Sequence, residues 1–258
     1  MNIVNIVVET VSAYQLKIYY QNYLESGTVT VTSEDTSYPK YRLYDRAQGL
    51  LFKGTSHPNP FEIKIDLGAT GPYPLIDAFI LGKSHNLSGL TLTVSFSDDD
   101  VGYANAASCV ATLGINHQDF TGVQHRYWKL AIASPASNPE IGEIFLSKAL
   151  LFDRNPNWDY GYGRVKGINR LESKAAYTQK TKWAEMRKRR RYHLIHMESS
   201  QRSDIETFED VTESVKNFYV EDLQGNLFFA ELPEPLEDFV AEQGGRWGLD
   251  FTVQEALD

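Results

Sequence analysis

Cysteine is nearly absent from this chain of 258 residues, in which Cys109 is the one example. A single thiol excludes both a disulfide within the chain and a cysteine-based zinc site. The protein therefore either matures in a reducing cytosol or folds without covalent cross-links. We expect synthesis in a cytoplasm.

Long apolar runs and a targeting signal are also lacking. No apolar run reaches the roughly 18 residues that a membrane span requires. The N-terminal segment carries no basic side chain before Lys17 and is interrupted by Asn5 and Glu9, which argues against a signal peptide. We therefore expect no membrane partner.

Catalytic motifs are missing too. There is no Gly-x-Ser-x-Gly elbow, no glycine loop for phosphate and no His-Glu-x-x-His pattern. The closest histidine pair, His193 and His196, is expected on opposite faces of one strand. We expect a protein that is not an enzyme and holds no cofactor or metal. Paired glycosidase carboxylates meet only in space, so an enzyme with a sugar-binding appendage stays an alternative.

Aromatic residues, by contrast, are plentiful, with 15 Tyr, 13 Phe and 4 Trp. Such side chains favour strands and wide contact surfaces. A hydrophobic fraction of 42% with 23% charged residues is typical of an ordinary globular protein. These numbers favour a β-rich binding protein.

The charge, −9 in total, is divided unevenly along the chain. Residues 1–150 hold 10 Lys/Arg and 14 Asp/Glu, residues 151–200 hold 12 and five, and residues 201–258 hold three and 15. The basic and acidic segments can pair within one domain, or between copies in a head-to-tail ring. A solvated charged face is the alternative.

Alternating apolar residues indicate strands across residues 26–151. Ile63, Ile65 and Leu67 share one face of a strand, and the pattern from Leu90 to Phe96 repeats the alternation. Further strands are expected at residues 76–81, 127–133 and 143–147, with turn residues between them. About eight strands at this spacing predict a jelly-roll β-sandwich for residues 1–152.

A stretch rich in Pro, Gly and Asn interrupts this pattern, and it predicts a linker over residues 153–164. Residues 165–258 are then a small β-barrel-like domain with one helix. Ser203 and Glu206 match a capping box, and apolar spacing places the helix near 204–217. Strands are expected at 182–186, 191–197, 218–221, 227–231 and 247–254. The predicted fold is mostly β, in two modules.

Several segments of the first module resemble the galactose-binding-like (discoidin, coagulation factor C-type) jelly roll, especially its versions in bacteriophage tail proteins. They are residues 41–45, 52–56, 63–68, 76–89, 127–130 and 141–146. The resemblance covers roughly residues 30–150. Each segment also has a structural rationale, since residues 63–68 bury alternate aliphatics and end in a glycine turn, and Asn86 can bond local backbone.

The resemblance implies that a ligand, often a sugar, would meet the loops at one end of the sandwich. The candidate loops are residues 33–41, 56–60, 98–104 and 116–125. Their candidate ligand-binding residues are Tyr38, His57, Tyr103, His117 and Phe120. These rings can stack on a sugar, or simply pack against the protein.

The second module is similar to the hub barrels of phage tail-tip proteins such as the distal tail protein. Residues 218–222, Gly225 and residues 247–255 carry the resemblance, although the family usually places the hub first. It implies a virion tail location, other tail proteins as partners, and a homo-oligomeric ring of three or six subunits. A structural subunit of a tail tip or baseplate is therefore the expected function, and recognition of host surface glycans is the alternative.

Two charged runs remain. Arg187, Arg189, Arg190 and Arg191 can grip carboxylates in bidentate fashion, so we expect them at a subunit interface or a charged connection. Nucleic acid is not an expected partner, because the pI is near 5.2 and the acidic C-terminal segment would compete with it for the arginines.

The carboxylates of residues 98–100 can bind Ca²⁺ or form a solvated turn, and the turn is favoured because no calcium loop surrounds them.

Overall fold

The computed structural model describes residues 14–152, 155, 156, 161–172, 178–242 and 244–256. Within residues 161–172 and 178–186 it describes the backbone. The N-terminal segment discussed above and half of the predicted linker, residues 153, 154 and 157–160, lie outside the described residues.

Strands dominate the chain, as predicted. In chain order the first part forms β1 (Lys17–Tyr19), β2 (Thr28–Val31), a 3-10 turn (Lys40–Leu43), β3 (Phe52–Lys53), β4 (Phe61–Asp66), β5 (Ile76–Leu81), β6 (Thr91–Ser97), β7 (Ala104–Val110), β8 (Asn116–Val123), β9 (Tyr127–Ile132), β10 (Glu140–Ile141), β11 (Ile144–Ser147) and β12 (Leu150–Leu151). The second part forms β13 (Gly161–Glu172), β14 (Thr178–Met197), α1 (Ser199–Thr212), β15 (Phe218–Glu221), β16 (Leu227–Glu231), β17 (Val240–Ala241) and β18 (Trp247–Glu255).

The predicted sandwich is formed by a five-stranded sheet, in the order β2-β4-β9-β6-β7, and a three-stranded sheet, in the order β11-β5-β8. The alternation in β4 works as expected, since Phe61, Ile63 and Ile65 are buried while the residues between them are partly exposed. Trp128 from the larger sheet and Phe79 from the smaller one belong to the same apolar core. Each such buried side chain contributes about 1.5–3 kcal/mol.

A further sheet lies outside the two sheets of the sandwich and follows the order β12-β1-β15-β16-β18-β14-β13, with β17 paired to β18. We call it the second sheet. Among the described residues it is an open sheet, whereas the sequence predicted a barrel-like unit. Strand β1, from the segment assigned to the sandwich, pairs with β15 through Ile18 and Val220. The predicted strands 182–186 and 191–197 are both parts of β14, and β13 already begins at Gly161, within the predicted linker.

The helix lies five residues earlier than predicted. Its N-cap is Glu198, so Ser203 lies inside the helix and the expected capping box does not form. The helix ends because the Thr212 hydroxyl donates to the Phe208 carbonyl and Glu213 takes a left-handed conformation, with φ of 48°. Within the part of the chain that is described, no helix has the length and apolar character that crossing a bilayer needs.

A separate apolar cluster, which we call the seam, joins the sandwich to the second sheet. Its buried members are Tyr19, Ala78, Ile80, Phe145, Ala149, Tyr219, Phe229 and Ala256. Polar groups cross the same boundary, because the Arg46 guanidinium donates to the Asn217 carbonyl at 2.7 Å and Gln48 donates to the Tyr219 hydroxyl at 2.7 Å. The sandwich and the second sheet therefore share apolar and polar contacts, and these contacts support the loops of the sandwich.

Candidate functional site

Strand register brings several connections to one end of the sandwich. Val31 ends β2 there, Phe61 begins β4, and Ile132 ends β9. The connections at this end are residues 32–51, 54–60, 82–90, 111–115 and 133–139, and we call this surface the loop end. Backbone bonds tie the connections together, for example from the Gly54 amide to the Pro139 carbonyl at 2.9 Å.

One half of the loop end is built around Asn138. Nδ1 of His57 lies 3.0 Å from Oδ1 of Asn138, and both residues are exposed. Nδ2 of Asn86 donates to the Asn138 carbonyl at 2.9 Å. The sequence suggested that Asn86 bonds local backbone. Its side chain instead crosses to a connection about 50 residues away, so it organises the loop end.

The other half is built around Tyr38 and the short pair of β3 and β10. Lys53 and Glu140 are register partners, and Nζ of Lys53 lies 2.8 Å from Oε1 of Glu140. This hydrogen bond raises the pKa of Lys53. The same ammonium lies 4.6 Å from the centroid of the Tyr38 ring. An exposed aromatic ring thus adjoins an ion pair whose members are each about one-third exposed.

Asn86 connects the two halves. Its Oδ1 accepts from the Glu140 amide at 2.9 Å, while its Nδ2 serves Asn138. The result is one continuous surface patch, which we call the loop-end patch: Tyr38, Lys53, His57, Asn86, Asn138 and Glu140. It offers a ring, a cation, a carboxylate, two amides and an imidazole to an incoming ligand. The sequence pointed to Tyr38 and His57 and missed the other four.

Tyr103 lies away from this patch. It belongs to the connection between β6 and β7, which leaves the opposite end of the larger sheet. Its ring is covered by the ammonium of Lys129, 4.2 Å from the centroid, and that of Lys64, 5.6 Å away. Burial and the hydrogen bond to Asp100 both raise the pKa of the Tyr103 phenol. The candidate residues therefore do not form one site.

His117 and Phe120 were expected in a loop, and this expectation is wrong because both lie on strand β8. The sequence did not predict this strand because β8 lies at the edge of its sheet, where polar residues stay partly exposed and the apolar alternation is weak. The Phe120 ring packs 6.0 Å from that of Trp128, against the sandwich core. The centroids of the His117 and Tyr19 rings lie 5.1 Å apart in an edge-on contact, where the sandwich meets the second sheet.

Charged groups surround His117 at that boundary. His117, Asp119 and Glu221 bring possible ligand atoms within 4.8 Å of one another. Nζ of Lys17 lies 2.5 Å from Asp119 and 3.0 Å from Glu221, so a cation already faces both carboxylates. Burial tends to raise the pKa of Asp119, but hydrogen bonds from His117 and Lys17 outweigh it and hold that pKa below its usual range. The group is an internal ion network that needs no metal.

The aspartates of residues 98–100 all have partners among the described residues. The Asp99 carboxylate accepts the Val101 and Gly102 amides at 2.9 and 3.0 Å. These backbone bonds lower the pKa of Asp99 to about 2. Asp100 binds Lys64 at 3.1 Å. The arrangement agrees with the solvated turn that the sequence favoured over a calcium loop.

The four arginines assigned to an interface lie on β14 and have carboxylate partners in the same chain. The pairs are Arg187 with Glu231 at 2.6 Å, Arg189 with Glu234 at 3.4 Å, Arg190 with Asp222 at 3.8 Å and Arg191 with Asp250 at 2.9 Å. These contacts connect β14 to the acidic C-terminal segment. A contact of the same residues with a neighbouring subunit stays a prediction.

Comparison with known proteins gave structural likenesses only. No family model and no curated protein matches the chain. Among solved structures, CpGH89CBM32-6 produced by Clostridium perfringens is 20% identical, with 50% of this chain and 99% of that chain covered and a TM-score of 0.42. Chitosan-binding module 1 from a chitosanase/glucanase of Paenibacillus sp. IK-5 is 15% identical, with 50% of this chain and 99% of that chain covered and a TM-score of 0.43. CpGH89CBM32-5 from Clostridium perfringens, in complex with GalNAc-β-1,3-galactose, is 14% identical, with 48% of this chain and 97% of that chain covered and a TM-score of 0.41. Likenesses this weak do not identify the ligand of this chain.

Proposed function

We propose that this chain binds carbohydrate at the loop-end patch. The observation that carries the proposal is the continuity of that patch, in which Asn86 joins the His57–Asn138 pair to the Lys53–Glu140 pair beside the Tyr38 ring. The sequence resemblance to galactose-binding-like jelly rolls supports a sugar as the ligand of loops at one end of the sandwich.

The chemistry of the patch suits a polyhydroxylated ligand. A sugar presents hydroxyl groups that both donate and accept hydrogen bonds, together with C–H faces that stack on aromatic rings. The amides of Asn86 and Asn138 and the imidazole of His57 can do both as well. Rigid polar groups around a partly exposed ring favour recognition over nonspecific adhesion.

The proposal describes a binding protein without catalysis of its own. Glu140 is the carboxylate of the patch, and it forms an ion pair with Lys53. Incubating the purified chain with cell-wall and capsule polymers should release no soluble fragments. Fragment release that depends on Glu140 would make the chain an enzyme and overturn this part of the proposal.

Truncating Tyr38 tests the binding site. Tyr38→Ala should weaken binding of the best ligand on a glycan array by about tenfold in calorimetry, because a stacked ring contributes roughly 1.4 kcal/mol. Tyr38→Phe keeps the ring and should bind nearly as well as the wild type.

The matched control is Tyr103→Ala, which removes the same side chain at the opposite end of the sandwich. Its affinity should equal that of the wild type. Loss of binding in this variant with full binding in Tyr38→Ala would place the ligand elsewhere. Silence of the folded wild-type chain across the array would refute carbohydrate binding.

Assembly into a ring is the second candidate function, and a phage tail tip with virion location is its most specific form. None of the three structures compared above is described as a phage tail protein. The observation that favours assembly, as opposed to its phage setting, is the hairpin formed by β13 and β14.

A further inference from the structure

Strand β14 is much longer than its neighbour in the sheet. β18 pairs with β14 from Met197 to Arg189, at the base of the strand. The pairing of β14 with β13 continues beyond that point, from Val165 opposite Arg187 to Glu172 opposite Thr178. We call residues 164–172 and 178–186 the hairpin arm. Within the described residues, no third strand pairs with this arm.

Such an arm is poorly supported by its own chain. A two-stranded hairpin standing alone is marginally stable in water, and its outer edges expose unpaired backbone groups. Among the described strands, β18 covers this side of β14 at the base, up to Arg189, and none covers it farther along the arm. A neighbouring surface would therefore stabilise the arm as well as bind it.

The composition of the arm points to the charge of that surface. Residues 164–172 and 178–186 contain five Lys/Arg and two Asp/Glu, a net charge of +3 in a chain whose total is −9. The register places Arg170 opposite Lys180. An external anionic surface would therefore complement the net positive charge of the arm.

An acidic surface of this kind is present on α1 and on the connection between β16 and β17, which meet where the Leu236 amide donates to the Glu209 carboxylate at 3.3 Å. Its exposed residues are Asp204, Asp210, Glu213, Glu234, Glu237 and Asp238. Glu234 binds Arg189 at 3.4 Å, and the others have no cationic partner among the described residues. The ion pairs at the base of β14, such as Arg187 with Glu231 at 2.6 Å, already match basic residues of this hairpin with acidic residues of this unit.

We propose that the hairpin arm docks on the acidic surface of a second copy of this chain. The arm and the surface are different parts of the molecule, so the contact is head-to-tail and repeats from copy to copy, giving a ring or an open chain. The proposal rests on strand pairing and charge, and it is independent of carbohydrate binding at the loop end.

Mass measurement tests the proposal. At about 0.1 M salt the wild-type chain should have at least twice the mass of one chain in light scattering, and at about 1 M salt, where charges are screened within a few ångströms, the mass should fall toward that of one chain. A shortened arm, with Asn-Gly in place of residues 166–186, should remain a single chain at both salt concentrations, since Val165 and Arg187 are register partners that a two-residue turn can join.

Charge reversal identifies the two surfaces. The double variant Lys180→Glu with Lys182→Glu should remain a single chain, and so should Asp210→Lys with Glu213→Lys. An equal mixture of the two should recover the wild-type mass, because each reversed surface then meets its complement. The same charge change on the sandwich, Lys83→Glu with Lys148→Glu, should leave the wild-type mass unaltered.

Three results would overturn the proposal. They are a wild type that is a single chain at low salt, arm variants that assemble as the wild type does, and a mixture of reversed variants that stays unassembled. Binding of heparin or duplex DNA that requires the arm, with no change of protein mass, would assign the arm to a polyanion instead.

Discussion

Replacing Arg46 with alanine should lower the free energy of unfolding by about 3–5 kcal/mol, the usual cost of removing one partner from a buried charged network. Arg46 is 7% exposed. Its guanidinium donates to the Asn217 carbonyl at 2.7 Å and the Tyr20 carbonyl at 2.9 Å, and it binds the Glu25 carboxylate. Alanine leaves all three acceptors without this donor. Urea denaturation followed by tryptophan fluorescence measures the loss.

Arg126→Ala is the matched control for Arg46→Ala. Arg126 also makes two hydrogen bonds to a carboxylate, at 2.7 and 2.8 Å from Asp66. Its side chain is 27% exposed, however, so water screens the pair and replaces the lost contacts. We expect a change below about 1 kcal/mol. Equal losses in the two variants would show that the polar link across the seam has no special role.

The second large effect concerns Glu143, which is fully buried in the sandwich beside the seam. Burial raises the pKa of this carboxyl well above its usual range, and repulsion by Asp45 adds to the effect while Arg46 opposes it. Oε1 of Glu143 lies 3.3 Å from the donating Nδ2 of Asn22. A neutral carboxyl and a carboxamide have similar shapes, and each has a donor and an acceptor, so Glu143→Gln should fit without rearrangement.

The pH dependence follows from the direction of this pKa. Below the unfolded-state pKa, near 4.3, Glu143 is protonated in both states and contributes no pH dependence. As pH rises, the unfolded chain loses its proton first, so the wild type loses stability until the folded-state pKa is passed. The side chain of Glu143→Gln does not ionise, so this variant does not undergo the same loss of stability as the pH rises. Its stability relative to the wild type should therefore be greater at pH 8 than at pH 4.

Denaturation curves from pH 4 to pH 8 measure this difference. The advantage of Glu143→Gln should be small at pH 4 and grow toward pH 8, whereas Glu213→Gln, at an exposed position, should follow the wild type throughout. A constant difference between Glu143→Gln and the wild type across the pH range would mean that Glu143 ionises normally in the folded protein.

Local patterns were sufficient to predict many strands. The bounds of β5, β15 and β16 agree with the sequence analysis residue for residue, because each is a short apolar run between turn residues. The pairing of β1 with β15 could not be predicted this way, since it joins segments about 200 residues apart. The helix was misplaced because Ser203 and Glu206 match a capping box by spacing alone, while the N-cap is Glu198.

The candidate site shows the same division. Aromatic and imidazole rings in loops singled out Tyr38 and His57. Lys53, Asn138 and Glu140 carry no signal of their own, because their roles come from bonds between connections that are distant in the sequence. Tyr103 has the same residue type as Tyr38, yet strand register carries it to the other end of the sheet. Residue type therefore suggested the chemistry, and topology decided which residues meet.

The central claim is that carbohydrate binds at the loop-end patch, and amide chemical-shift mapping tests it most directly. The wild-type chain, labelled with ¹⁵N, is titrated with the best ligand from the glycan array. We expect the largest shifts at Tyr38, Lys53, His57, Asn86 and Asn138, with little change around Tyr103. Shifts centred on Tyr103, or on the boundary around His117, would contradict it.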